Sequence, residues 1–77
     1  MPRDDIDVRP GLYQHYKGGL YMVLSTAVMG TGHDEETMVV YQNAEGQFWV
    51  RTLEDFTDLV NVDGLAVSRF RRVGKAR

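Results

Sequence analysis

Apolar and β-branched residues along this chain come in short runs divided by glycine-bearing turns, the pattern of a small antiparallel β protein. Residues 12–17 (LYQHYK) are rich in β-formers and lead into Gly18-Gly19. A glycine pair between two such runs predicts a hairpin closed by a two-residue type I′ turn, which needs φ > 0 twice. Residues 20–29 (LYMVLSTAVM) read as a second strand, largely apolar on both faces. Such a strand is either covered on both sides or bent, so that its halves serve different surfaces. A third strand is expected over residues 36–42 (ETMVVYQ), a glycine-ended hairpin loop over 43–46 (NAEG) and a fourth strand over 47–51 (QFWVR). In residues 52–60 (TLEDFTDLV) the positions Leu53, Phe56, Leu59 and Val60 fall at helical spacing, which predicts one or two turns of helix. Thr52 is placed to cap that helix, with Asp55 at the third helical position as in a capping box. Asp63-Gly64 is a further turn, and residues 65–73 (LAVSRFRRV) give a fifth strand.

Five short strands and one helical turn predict a mostly β protein: a small five-stranded antiparallel barrel of the Src-homology-3 (SH3-like) type, with one short helix before the last strand. Closing the sheet removes exposed edges, which suits a small chain. Arg9-Pro10-Gly11 signals a turn where order is expected to begin. The expected division is a flexible acidic tail over 1–8, a single domain over 9–73 and a basic tail over 74–77.

Composition narrows the function classes. Seventy-seven residues make one small domain, and 43% hydrophobic with 26% charged residues is a globular rather than a disordered balance. No cysteine is present, so disulfides, a thiolate nucleophile and a cysteine-based zinc site are excluded. The polar start MPRDDID does not read as a secretory signal, and no apolar run approaches the ~18 residues that span a bilayer. The expectation is a cytoplasmic domain without membrane contact. Net charge is −2, but Arg69, Arg71, Arg72, Lys75 and Arg77 gather at one end, away from Asp4, Asp5, Asp7 and the Asp34-Glu35-Glu36 run. A basic end of this kind contacts phosphates, or serves simply as a solvated terminus.

Strand parity singles out one face. Tyr13, His15 and Lys17 alternate along the first strand, Trp49 and Arg51 along the fourth, and Tyr41 follows Val39 on the third. Together they are candidate ligand-binding residues, since aromatic and cationic groups side by side stack on bases and hold anions. The competing assignment puts Tyr13 and Trp49 in the core and leaves Lys17 and Arg51 to solvent. Catalysis is poorly served: Ser25 and Ser68 lie in strands, and His15, oriented by Tyr16 or a carboxylate, is the one candidate base. His33-Asp34-Glu35-Glu36 offers oxygen ligands for Mg²⁺ or Ca²⁺ but lacks the alternate spacing of a calcium loop, so a solvated acidic loop is expected. Gly30-Thr31-Gly32 lacks the Lys-Ser/Thr ending of a phosphate loop. No cofactor is expected.

The phrases YQHYKGG (13–19), MVVY (38–41), FWVR (48–51), LEDF (53–56) and SRF (68–70) occur in that order. In this they resemble the bacterial family called domain of unknown function 1653, over Gly11 to about Phe70. The resemblance implies a small β-barrel, commonly free-standing, and no assigned reaction. Thr52 stands where the family pattern has Pro after Trp-Val-Arg, and Asp55 where it has Met before Phe. The longer VMGTGHDEET (28–37) replaces a His-Ser-Glu-Thr-like phrase, so His33 is not equated with that histidine. The functional expectation is a non-catalytic binding module with an aromatic-basic groove near His15, Lys17, Trp49 and Arg51, taking a peptide, a protein or a nucleic acid. The alternative is a small-ligand or nucleotide-binding domain with hydrolytic activity at His15.

Overall fold

The computed structural model describes residues 8–30 and 36–75. The expectations for residues 1–7, for the Gly30–Glu36 loop from residue 31 to 35, including His33 as a metal ligand, and for residues 76–77 lie outside the described residues.

The chain runs β1 (Gly11–His15), β2 (Leu20–Val28), β3 (Thr37–Gln42), β4 (Phe48–Thr52), α1 (Leu53–Phe56), β5 (Leu59–Val62), β6 (Leu65–Ser68) and β7 (Phe70–Lys75). Five strands form one antiparallel sheet in the order β4-β3-β2-β1-β7, and β5 pairs with β6 in a separate two-stranded sheet. The mostly β character with one short helix therefore holds. The barrel does not close: β4 and β7 are the two edges of an open sheet among the described residues. Its cause lies at Arg69, where the expected fifth strand divides. Residues before it turn back onto β5, and residues after it pair with β1, so no strand remains to join β7 to β4.

Register explains which residues are covered. Gly11, Val23, Tyr41 and Trp49 lie in one row across β1 to β4, and directly opposed residues share a face. That face carries the core, made of Val8, Tyr13, Val23, Val39, Tyr41, Phe56 and Phe70, with Tyr21 and Leu53 packed against it. Of the two alternatives for the long second strand, covered on both sides or bent, the structure has the bend. Its ladder with β3 shifts between Val23 and Ser25, leaving Leu24 as the extra residue of a bulge. Val8, assigned from sequence to the tail, belongs to the core, and β7 continues to Lys75, past residue 73.

One local expectation is corrected and a second is narrowed. The first hairpin turns over Tyr16, Lys17, Gly18 and Gly19: Gly18 N–H donates to His15 O at 2.7 Å, and His15 N–H to Gly19 O at 2.8 Å. Only Gly18 of the pair has positive φ, at 111°. The double positive φ of a two-residue turn instead occurs at Asp63 (52°) and Gly64 (85°), closing β5 onto β6. The helix is a single turn. Thr52 Oγ1 accepts the Asp55 N–H at 3.0 Å, as its capping position requires. Thr57 then ends the helix, its hydroxyl and amide both donating to Leu53 O. Leu59 and Val60 consequently enter β5 rather than a second turn, and Val60 opposes Val67 in the β5–β6 ladder.

Glycine is required where β1 meets β7. Gly11 is buried with φ of 151°, and a Cβ there would stand 2.6 Å from Gly74 O.

Candidate functional site

The six residues expected to share a face divide into two groups. Tyr13 and Tyr41 are core residues, 7% and 4% exposed. Tyr13 meets Phe56 edge-on at 5.4 Å, and its hydroxyl donates to Arg9 O at 2.8 Å. Tyr41 packs against Phe56 and Phe70, each at 5.7 Å. They form the floor under the candidate face and do not offer their rings to a ligand.

Arg51 stands at the rim of that floor. Its Nε donates to the Tyr41 hydroxyl at 3.0 Å, its Nη1 to Asp55 Oδ2 at 2.6 Å, and its guanidinium carbon lies 5.5 Å from the centre of the Phe70 ring. Partial burial works against the charge, but the hydrogen bonds with Tyr41 and Asp55 outweigh it and raise the pKa of Arg51. Trp49 precedes Arg51 by two residues on the same strand and face and is half exposed.

His15 ends β1. Its ring packs against Tyr16 at 4.7 Å and edge-on against Phe70 at 4.9 Å, with Tyr21 at 6.3 Å. Nδ1 accepts the Lys17 N–H at 3.2 Å, so that bond fixes the ring in the turn. Burial first, and then the charges of Arg51, Lys17 and Arg69, lower the His15 pKa below its ordinary value of 6.5. Lys17 sits in the turn rather than in the strand, with its Nζ 5.7 Å from the Tyr16 ring centre. It reaches His15's surroundings through the turn, not through strand alternation.

Sequence reasoning missed Arg69 as part of this site, placing it with the basic end of the chain. Its backbone is clasped on both sides: its N–H donates to Asp58 O at 3.1 Å, and its O accepts the Tyr16 N–H at 2.9 Å. The guanidinium lies 3.8 Å from Asp55 and 3.7 Å from Asp58, while its buried Nε has no hydrogen-bond partner among the described residues. The signal available was the break in alternation at Ser68-Arg69-Phe70, where a charged residue precedes a core phenylalanine. Arg51 and Arg69 thus share the Asp55 carboxylate, with His15 and Lys17 adding no compensating negative charge.

The arrangement is an aromatic shelf edged by cations. It suits holding an anionic group against ring faces. Among the described residues no group of three or more His, Cys, Asp or Glu side chains is placed to hold a metal ion. No helix among the described residues is long and apolar enough to cross a membrane.

No curated protein and no solved structure matches this chain. The sequence profile of the family described as "Protein of unknown function (DUF1653)" matches residues 11–72, from the start of β1 into β7. Covering more than half of the chain, that match means that the protein belongs to the DUF1653 family.

Proposed function

We propose that the protein is a small non-catalytic binding module that takes an anionic partner on the face formed by His15, Lys17, Arg51 and Arg69, with Trp49 at its flank. One observation carries this reading: Arg51 lies against the Phe70 ring that His15 also meets, Lys17 is bonded through its N–H to His15, and Arg69 is bonded through its O to Tyr16, so three cations from separate parts of the chain gather at one end of the aromatic core. Asp55 and Asp58 offset part of this charge, and an anionic partner offsets the remainder. The rings beside them, Tyr16 and Trp49, are exposed enough to contact a base or an apolar side chain. The β4-β3-β2-β1-β7 order, with a helical turn after β4, supports regarding the fold as SH3-like, a framework that carries ligands in a surface groove. A cytoplasmic setting belongs to the same reading and is supported by the absence of cysteine.

Hydrolysis at His15 has less support. Its Nδ1 is engaged with the turn, its ring lies against aromatic neighbours, and the charged groups that act on it are cations. A general base is helped by a carboxylate orienting it, not by surrounding positive charge.

The test is a two-dimensional NMR titration of the ¹⁵N-labelled chain with a short single-stranded oligonucleotide and, separately, with an acidic peptide. Shifts centred on residues 15–17, 49–51 and 69, weakening steeply with added salt, are the expected result. Shifts that are absent for both probes, or that fall elsewhere and ignore salt, would sink the proposal.

A further inference from the structure

The two edges of the sheet are built differently. β7 carries Arg71, Arg72 and Lys75, and its ladder with β1 shifts register between Leu12 and Tyr13. Charges and irregularity of this kind keep an edge from pairing with another chain. β4 has neither. Phe48, Trp49 and Val50 follow one another, 65%, 49% and 57% exposed, without proline, lysine or a bulge. Its one cation, Arg51, is turned onto Tyr41, Asp55 and Phe70. Consecutive apolar residues are the composition of a strand covered on both faces, yet Phe48, Trp49 and Val50 are all exposed and β4 is an edge that pairs with β3 alone.

Its main chain is open as well. Asn43 N–H donates to Gln47 O at 3.0 Å, which places Gln47 in a hydrogen-bonded pair at the start of the β3–β4 ladder. Antiparallel alternation then turns the main-chain groups of Trp49 and Arg51 toward β3, and those of Phe48 and Val50 toward the free edge. No turn or loop hydrogen bond takes them up among the described residues.

We propose that a second copy of this chain covers the edge, with β4 pairing antiparallel to its counterpart about a two-fold axis at Trp49. In that register Phe48 opposes the partner's Val50 and Val50 the partner's Phe48, so the open donors and acceptors of both residues satisfy one another. Trp49 faces the partner's Trp49, and Gln47 faces the partner's Arg51, so that apolar meets apolar and no like charges are opposed. A register centred on Val50 is poorer, because it sets Phe48 against the partner's Thr52, whose carbonyl opens α1 as its capping residue. The sequence QFWVR therefore complements its own reverse, which is the reason to name a second copy rather than an unrelated strand. Three side chains from each copy bury less than the roughly 800 Å² per partner of a standard interface, so the dimer forms and dissociates with concentration. Antiparallel pairing keeps both core faces on one side, setting the two cationic ends side by side on a continuous sheet.

Sedimentation velocity over the micromolar to millimolar range tests the pairing. The wild-type chain is expected to pass from monomer to dimer. Val50→Pro removes a donor that points to the open edge and leaves the β3–β4 ladder its hydrogen bonds. Val50→Lys supplies the missing edge charge. Both are expected to stay monomeric throughout, with an unchanged far-ultraviolet circular dichroism spectrum. Trp49→Cys, in a chain with no other cysteine, is expected to give a disulfide-linked dimer on mild oxidation, since facing residues of a non-hydrogen-bonded pair stand ~4.5 Å apart at Cα, within disulfide reach. A wild-type chain that is monomeric throughout overturns the proposal, even if an added extended peptide then occupies β4. Folded Val50 variants that dimerise like the wild type overturn it too, as does Val50→Cys cross-linking faster than Trp49→Cys.

Discussion

Arg51 Nε donates a 3.0 Å hydrogen bond to the hydroxyl of Tyr41, tying the most buried tyrosine of the core to the cationic rim of the candidate face. The two residues lie ten apart in sequence, on neighbouring strands, and share a face because Val39 opposes Arg51 while Tyr41 opposes Trp49. Core packing thereby sets the position of a surface charge. Tyr41→Phe keeps the ring and removes only this bond. A stability loss of about 1 kcal/mol is expected, together with weaker binding of an anionic probe, because Arg51 is no longer aimed. Chemical denaturation and the NMR titration, run on the same sample, separate the two effects.

Phe56 and Phe70 stack at 4.2 Å with their planes 2° apart, joining the single turn of α1 to the start of β7. Phe56 is 2% exposed and touches Tyr13 and Tyr41 besides Phe70. Phe56→Ala is expected to cost roughly 3–5 kcal/mol, a large part of the ~5–15 kcal/mol that holds a domain together. Thermal melts are expected to show a chain largely unfolded or melting far below the wild type. A loss under 1 kcal/mol would mean that this ring is not the centre of the core.

The lowered His15 pKa makes stability depend on pH with a definite sign. Below the ordinary value of 6.5 the unfolded chain takes up the proton more readily than the folded one, so acidification favours unfolding. Stability from this group is complete above about pH 6.5 and declines as pH falls from there toward the folded-state pKa. His15→Gln is expected to flatten the fall in melting temperature between pH 7.5 and 5.5. An anionic partner on the face is expected to raise the His15 pKa, read from its imidazole proton shifts. A pKa that does not move on saturation with the probe would place the bound anion elsewhere.

Asp55 occupies the position an anionic ligand would take, since it binds Arg51 at 2.6 Å and approaches Arg69 at 3.8 Å. Its pairs are partly exposed, and such pairs contribute less than about 1 kcal/mol. Asp55→Asn is expected to change stability by no more than that while tightening binding of the oligonucleotide or acidic peptide, measured by titration calorimetry. Weaker binding with unchanged stability would show that Asp55 holds Arg51 in its binding geometry rather than competing for it.

Much of the framework was legible from residue order. The hairpin runs LYQHY and LYMVL, the MVVY and FWVR strands and the Thr52 cap all rest on local preferences that act over a few residues. The same logic misplaced the type I′ turn. Gly18 and Gly19 permit two positive φ values, but the bond from Gly18 N–H to His15 O carries the chain through a longer turn, while Asp63-Gly64 takes the tight one. Spacing alone also left open whether the helix has one turn or a second through Leu59 and Val60, because helical periodicity and a strand entering a ladder cannot be told apart over so few positions.

What the sequence by itself determined is therefore the first four strands, the residues that share a face along them, and membership of one family. Tertiary structure alone decided which faces are covered. Tyr13 and Tyr41 are buried because Phe56 and Phe70 arrive from later in the chain, and Trp49 stays half exposed because β4 is an edge. Arg69 joins His15, Lys17 and Arg51 for the same reason. Its place is set by backbone bonds to Asp58 and Tyr16, contacts between segments whose pairing no local pattern records.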